Sequence, residues 1–139
     1  TFFFGDLDNE TGALRFINAG HNSPLVFGRD GAARELQATG LCLGMFAGRS
    51  YEVGMAALDP GEVLVLYTDG ITESRNTGEK EFGVEGLTEA VREDLGKDAR
   101  TILEGVFRRL AEFTVCAEPF DDRTLVIVKR DAFESAPSV

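Results

Sequence analysis

The sequence contains few of the residues that bind zinc or form disulfides. His21 is its single histidine, and its two cysteines, Cys42 and Cys116, lie far apart without a Cys-x-x-Cys spacing. This inventory argues against a zinc site, which takes several cysteine or histidine ligands. It also argues against a disulfide framework, and we interpret both cysteines as reduced core residues of a cytoplasmic protein.

The sequence also lacks a long apolar run and a surplus of positive charge. No stretch approaches the roughly 18 apolar residues that indicate a membrane span, so we expect no direct membrane contact. Asp and Glu total 24 against 14 Lys and Arg, which gives a formal net charge of −10. Nucleic acids are bound through basic surfaces, so this balance argues against a nucleic-acid partner. The acids either form a solvated surface or gather around a cation.

The sequence does contain enough apolar residues for a core. Hydrophobic residues make up 43% of the 139 positions and charged residues 27%, which is typical of a soluble globular domain. The length favours one domain, or a part of one, rather than two.

Strand patterns dominate the first half of the chain. Three pairs of apolar runs, each separated by a turn cluster, predict three hairpins. Val63–Tyr67 is apolar on both faces, which predicts a central strand covered on both sides. The paired runs are Thr1–Leu7 with Ala13–Asn18, Pro24–Gly28 with Ala32–Leu36, and Tyr51–Leu58 with Glu62–Thr68.

Helical periodicity appears in the second half. Apolar residues at spacings of three and four predict a helix over Gly83–Leu95 and a longer one over Asp98–Thr114, with Asp98 as its N-cap. The β-branched run Thr124–Lys129 predicts a last strand. The order of elements indicates an α+β fold, in which antiparallel sheets carry the helices on one side. We expect Leu64, Leu66 and Val126 in its core.

Acidic side chains stand at the ends of two apolar strands. Asp69 directly follows Val63–Thr68, and Asp121 and Asp122 directly precede Thr124–Val128. If these strands are antiparallel neighbours, all three carboxylates arrive at one edge of the sheet. Crowded carboxylates need hydrogen bonds, a proton or a cation, and an oxygen-only set suits Mg²⁺ or Mn²⁺.

Spacing alone favours a simpler interpretation of the same acids. Asp69-Gly70 is a common turn dipeptide, and Asp121 can cap a loop. Acids in turns are much more common than metal ligands, so a turn and a metal site both stay open on spacing.

Five motifs in order resemble the SpoIIE/RsbU-type serine phosphatases, which are PPM (PP2C-like) enzymes. The resemblance runs from Thr1 to about Lys129, so we expect part of such a domain over residues 1–131 and a frayed tail over 132–139. Three segments are similar to the family motifs NAGHxPxL (Asn18–Leu25), LGxF (Leu43–Phe46) and LxPGDxLxLYTDGxxE (Leu58–Glu73). Two more, Glu81–Gly83 and Asp121–Leu125, follow in the family's order.

The resemblance implies a fold, a reaction and ligands. The intact family domain is an α-β-β-α sandwich that hydrolyses phosphoserine or phosphothreonine with two Mn²⁺ or Mg²⁺ ions and a metal-bridging water. By resemblance, Asp69 and Asp121 are the catalytic metal ligands. Asp122 stands where many relatives carry Asn, and it is expected as a supporting metal-binding residue.

The motif around His21 is expected to bind the substrate. By resemblance, His21 and Asn22 lie in a loop at the metal edge, where His21 orients a water or the phosphate. An equally good interpretation is that His21 only holds its loop by hydrogen bonds.

One motif of the family is missing. The Asp-x-x-Gly-His-Gly-type metal motif, which lies upstream in such domains, does not occur in this sequence. We therefore expect the chain to be one part of a phosphatase domain and inactive alone; the alternative is a non-catalytic partner-binding module of the same fold. The partners implied are a phosphorylated STAS-type anti-sigma-factor antagonist as substrate and an upstream sensor domain. A homodimer through an uncovered sheet face is also expected.

Overall fold

Two antiparallel sheets and three helices make up the part of the chain that the computed structural model describes, residues 1–115 and 121–132. The predicted α+β class is confirmed. The strands are β1 (Phe2–Leu7), β2 (Ala13–Ala19), β3 (Leu25–Phe27), β4 (Ala33–Glu35), β5 (Gly54–Ala57), β6 (Val63–Tyr67) and β7 (Leu125–Lys129). The helices are α1 (Asp69–Thr72), α2 (Gly83–Glu93) and α3 (Ala99–Phe113).

The first sheet has the strand order β1-β2-β5. Its hairpin pairs Phe2 with Ala19 and Leu7 with Leu14, as the sequence predicts. The connecting turn is held by Asp8, whose Oδ1 accepts hydrogen bonds from the backbone N–H groups of Glu10 and Thr11 at 2.9 Å each. The bond from the Thr11 amide is the main reason that the pKa of Asp8 lies below its ordinary value.

The second sheet has the order β4-β3-β6-β7, so β6 lies between two neighbours. The second predicted hairpin, β3 with β4, and the central position of β6 are confirmed. The third predicted hairpin is wrong, because β5 pairs with β2 in the first sheet. The turn Asp59–Gly61 therefore carries the chain between sheets. The apolar β6 is buried inside the larger sheet, whereas the small-residue β5 forms an edge of the other sheet.

Two clusters of apolar side chains separate three layers. One cluster lies between the two sheets, and the other lies between the second sheet and the helices α2 and α3, which share one side as expected. The first contains Leu14, Phe16, Val26, Leu36, Leu58 and Leu64. The second includes Phe27, Val63, Val65, Leu87, Val91, Ile102, Val106 and Leu110.

The longer helix begins where the sequence predicts. The Asp98 carboxylate accepts a hydrogen bond of 2.9 Å from the backbone N–H of Thr101, which makes it the N-cap of α3. This bond is also the main cause of the lowered pKa of Asp98. The short helix α1 is not predicted, because the turn pattern of Asp69-Gly70 conceals it.

Two expectations about burial need correction. Leu64 is buried and Leu66 is half-buried, but Val126 is 46% exposed and does not belong to the core. Val126 lies on the edge strand β7, opposite Leu66 of β6, and it faces the same side of the sheet as Val128. Among the described residues, no strand of the first sheet covers the Val126 side chain. Cys42 is half-buried rather than in the core, and Cys116 and nearly all of the expected tail lie outside the described residues.

Candidate active site

The edge where β6 ends and β7 begins carries the three predicted aspartates. β6 and β7 are antiparallel neighbours with Tyr67 opposite Leu125, so the expected pairing of these strands is confirmed. Asp69 follows one strand by two residues, and Asp121 and Asp122 precede the other. Both segments therefore leave the sheet at the same end.

Thr68 joins the two segments beyond the last strand pair. Its backbone N–H donates to the Thr124 carbonyl oxygen at 3.1 Å. Its hydroxyl donates to the Asp122 carbonyl oxygen at 3.1 Å and accepts from the Thr124 N–H at 3.0 Å. A single threonine side chain thus sets the position of the Asp122 backbone relative to Asp69.

Gly70 allows the segments to approach closely. A Cβ atom at this position would overlap the carbonyl oxygen of Asp122 and lie 2.9 Å from its carbonyl carbon. Only glycine leaves room for the backbone of Asp121 and Asp122 to pass here. The Asp-Gly dipeptide therefore has a packing reason at this position that a surface turn would not require.

The aspartates are exposed and are oriented by adjacent backbone. Oδ1 of Asp69 accepts from the Gly70 N–H at 3.0 Å, and Oδ1 of Asp121 accepts from the Asp122 N–H at 2.7 Å. The carbonyl oxygen of Asp69 accepts from the Glu73 N–H at 2.7 Å, so the turn of α1 fixes its backbone. Both carboxylates keep oxygen lone pairs that can bind a cation.

A divalent ion fits the chemistry of this edge. The donors are carboxylate oxygens, as Mg²⁺ and Mn²⁺ prefer. Over residues 1–115 and 121–132, however, no three acidic, histidine or cysteine side chains form a ready-made cluster. An ion held here would need waters or further ligands to complete its coordination. The metal-binding roles of Asp69, Asp121 and Asp122 stay predictions.

His21 and Asn22 lie in the loop that leads into β3. β3 runs antiparallel to β6 with Leu25 opposite Val65, so the residues before Leu25 lie at the end of the sheet where β6 ends. Nδ1 of His21 is 3.1 Å from the Thr1 hydroxyl, and its backbone N–H donates to Oδ1 of Asn18 at 2.8 Å. These bonds agree with a loop-holding role for His21, and its role towards substrate stays a prediction.

Asn18, the first residue of the NAGHxPxL segment, has a structural role that the motif does not predict. It is fully buried, and its Nδ2 donates to the Leu36 carbonyl oxygen at 3.2 Å. With its Oδ1 it holds the His21 loop, and Gly20 supplies the left-handed turn at φ 70°. The signal for Asn18 was a polar residue at an inward position of β2, where the alternation of Leu14 and Phe16 predicts an apolar one.

The chain matches the family model described as stage II sporulation protein E (SpoIIE) over residues 1–131. The chain belongs to the SpoIIE family. Among curated relatives, it is similar to protein IcfG of a Synechocystis species, with 32% identity over 94% of the chain and 20% of IcfG. It is also similar to the phosphoserine phosphatase RsbU of Bacillus subtilis, with 25% identity over 94% of the chain and 38% of RsbU.

Solved structures of the SpoIIE family share the fold. The RsbU and RsbW domains of Rv1364c from Mycobacterium tuberculosis match with a TM-score of 0.73 and 26% identity, over 94% of this chain and 36% of that one. The phosphatase domain of SpoIIE from Bacillus subtilis, presoaked with Mn, matches with a TM-score of 0.68 and 20% identity, over 100% and 59%. The chain therefore has the fold of a PP2C-type phosphatase domain. It spans 20% and 38% of the two curated relatives and 36% and 59% of the two solved chains, less than two thirds in each case.

The length and apolar character of the helices bear on membrane crossing. None of those within residues 1–115 and 121–132 has both the length and the apolar character that crossing a membrane requires.

Proposed function

We propose that residues 1–131 are part of a metal-dependent protein serine/threonine phosphatase domain that hydrolyses phosphoserine. The observation that carries this proposal is the edge at which Thr68 and Gly70 bring the Asp69 and Asp121–Asp122 segments together. Membership of the SpoIIE family and similarity to a phosphoserine phosphatase support the reaction. The SpoIIE domain presoaked with Mn supports a divalent ion of that kind.

In this proposal Asp69 and Asp121 hold Mn²⁺ or Mg²⁺, and Asp122 supports them. Two bound ions supply charge neutralisation and an activated water for attack on phosphorus. The chain's residues fix the geometry: α1 and Thr68 hold the backbones of the aspartates, and the loop of His21 and Asn22 contacts the substrate. The substrate is a phosphorylated STAS-type regulator, in keeping with the similarity to RsbU.

The test measures hydrolysis of a phosphoserine peptide with excess Mn²⁺, on this chain alone and on the full-length protein. We expect metal-dependent turnover by the full-length protein and none by the chain, because two aspartates leave the ions short of ligands. D69N and D121N in the full-length protein should each lower kcat/KM by roughly 100-fold or more. The matched control is D30N, which changes an exposed aspartate outside this edge.

The second candidate function is a partner-binding module without catalysis. It is favoured by the lack of a three-ligand cluster in the described residues. Full-length protein that binds a phosphorylated STAS domain but shows no Mn²⁺-dependent turnover would establish this candidate. Equal turnover by the chain and the full-length protein would instead refute the expected incompleteness.

A further inference from the structure

The end of the second sheet opposite the aspartates carries two open clefts. Val63, the first residue of β6, lies opposite both Phe27 and Lys129, so the segments that follow β3 and β7 meet at this end. The clefts have volumes of about 710 Å³ and about 600 Å³. They adjoin and form one groove, because they share three lining residues: Arg29, Leu95 and Gly96.

Two arginines of this groove are fixed through Nε to backbone carbonyl oxygens. Nε of Arg29 donates to the Pro60 carbonyl oxygen at 2.8 Å, and Nε of Arg92 donates to the Gly31 carbonyl oxygen at 2.8 Å. The second bond holds Arg92 of α2 against the turn that carries Arg29. Gly61 makes room for the first bond, since a Cβ there would overlap Nε of Arg29. Each guanidinium is therefore held by Nε, while its terminal nitrogens make no hydrogen bond with described residues.

These two arginines differ from the arginines that have partners within the fold. On α2, Glu89 and Glu93 are the acids nearest to Arg92 in sequence, and both are paired with Arg109. Arg130 uses its terminal nitrogens to donate to three backbone carbonyl oxygens. The eight ion pairs between described residues all belong to other arginines, namely Arg15, Arg34, Arg75, Arg100, Arg108 and Arg109.

The groove is locally basic in an acidic chain. Two of its acids are bonded within their own segments: Asp30 accepts from the Ala32 N–H, and both carboxylate oxygens of Asp98 accept from Thr101. At about 0.15 M salt, charges beyond about 8 Å are largely screened, so a ligand meets the charge of the groove rather than the net charge of −10. Four positive side chains line the groove against three negative ones: Arg29, Arg92, Lys97 and Lys129 against Asp30, Asp98 and Asp131.

The shape of the groove favours an extended anionic ligand. Sites for small molecules enclose most of the ligand, whereas this groove is open to solvent. Arg29 lines both clefts, while Arg92 lines one and Lys97 lines the other, so the cations are spread along the groove. The paired N–H groups of a guanidinium match carboxylate oxygens. A nucleic-acid strand would carry its charge beyond the groove and meet the acidic surface.

We propose that this groove binds an acidic segment of a partner protein, with Arg29 and Arg92 donating hydrogen bonds to its Asp and Glu carboxylates. The inference is independent of the phosphatase proposal, because the groove lies at the other end of the sheet from Asp69 and Asp121. It accounts for two arginines that are held in place and yet form no ion pair between described residues.

The test measures binding of a fluorescein-labelled oligoglutamate peptide to the full-length protein by fluorescence anisotropy at about 0.1 M salt. Arg29→Gln and Arg92→Gln should each weaken binding by about 3-fold, and the double variant by about 10-fold. Lysine at both positions should keep part of the affinity. The matched control is Arg15→Gln, which removes one exposed arginine from the first sheet and should leave binding unchanged. Turnover of a phosphopeptide should be the same in all these variants.

Equal peptide binding by the double Gln variant and the wild type, or no binding by the wild type, would overturn the inference. Tighter binding of a single-stranded DNA oligonucleotide of equal charge, or displacement of the peptide by inorganic phosphate at equal concentration, would overturn the assignment to an acidic peptide. If the double variant does not fold, Arg29→Gln decides, and unchanged affinity overturns the inference. A wild type that binds the peptide without phosphatase turnover supports the groove and contradicts only the phosphatase proposal.

Discussion

At the scale of single residues, the candidate site depends on two small side chains beside the aspartates. Thr68 contributes a hydroxyl that bonds to both Asp122 and Thr124, and Gly70 contributes the absence of a side chain. Neither residue offers a charge or a metal ligand. Both set the distance between the two acidic segments, on which binding of a shared ion depends.

Gly70→Ala should disrupt the site by steric overlap. Its Cβ would overlap the Asp122 carbonyl oxygen, which is backbone and cannot rotate away. We expect a loss of about 1–3 kcal/mol in the free energy of unfolding. Mn²⁺ affinity in the full-length protein should fall by about 10-fold or more, because the Asp121–Asp122 segment must move. Urea denaturation and Mn²⁺ titration measure the two effects.

Gly96→Ala is the control for Gly70→Ala. A Cβ at Gly96 would meet no atom within 4 Å, so stability and Mn²⁺ affinity should stay close to wild type. Unchanged Mn²⁺ affinity in Gly70→Ala would show that the two segments do not share an ion.

At the scale of helices and strands, local sequence patterns predicted the helices and two hairpins, but they did not predict the pairing of distant strands. The hairpins β1–β2 and β3–β4 and the helices α2 and α3 follow from alternation, turn residues and the Asp98 cap. The pairing of β5 with β2 joins strands that are distant in sequence, and no local pattern specifies it. The predicted burial of Val126 is wrong for the same reason, since the burial of this side chain depends on which strands of the other sheet reach β7.

Some residues of the candidate site could likewise be predicted from the sequence, and others could not. The aspartates are visible in the sequence because acids directly adjoin apolar strands. The roles of Thr68 and Asn18 depend on hydrogen bonds between segments about 20 to 50 residues apart. Sequence spacing does not show such bonds before the strands are paired.

An ion pair links β4 to the residue that precedes β6, and it makes the stability of the fold depend on pH. Arg34 donates to both carboxylate oxygens of Glu62 at 2.7–2.8 Å, and the Asp59 N–H donates to the same carboxylate. The bond with Arg34 is the main cause that lowers the pKa of Glu62. A lowered pKa in the folded state gives stability that is complete above the unfolded pKa of about 4.3 and is lost as pH falls through the folded value.

Glu62→Gln should therefore lower Tm at pH 7 and reduce the loss of Tm on acidification. Thermal unfolding between pH 7 and pH 3 measures both effects. The wild-type advantage should shrink below about pH 4.3, since the protonated Glu62 carboxyl and the amide of the variant then make similar bonds. Glu104→Gln removes an exposed pair with Arg100 and serves as the control, with little change at any pH. A wild-type advantage that is constant down to pH 3 would contradict the assignment.

At the scale of the whole molecule, the outer face of the first sheet exposes large apolar side chains beside an ion pair of Asp6 and Arg15, while the chain as a whole is acidic. Phe4 and Met55 point to the side opposite the inter-sheet core and are 53% and 69% exposed. β1 and β5 are also the two edges of this sheet. Exposed apolar faces and open strand edges favour association, whereas a net charge of −10 opposes it.

These two effects predict how self-association of the isolated chain responds to salt. Charge repulsion is screened as the Debye length falls from about 10 Å at 0.1 M to about 3 Å at 1 M salt, while burial of apolar surface is not weakened. We therefore expect monomers at low salt and concentration-dependent dimers at high salt, measured by light scattering. Phe4→Ser with Met55→Ser should shift the chain to monomer, whereas Val84→Ser on α2 should not. Dimers that dissociate as salt rises would show that charge pairs, rather than this apolar face, hold the copies together.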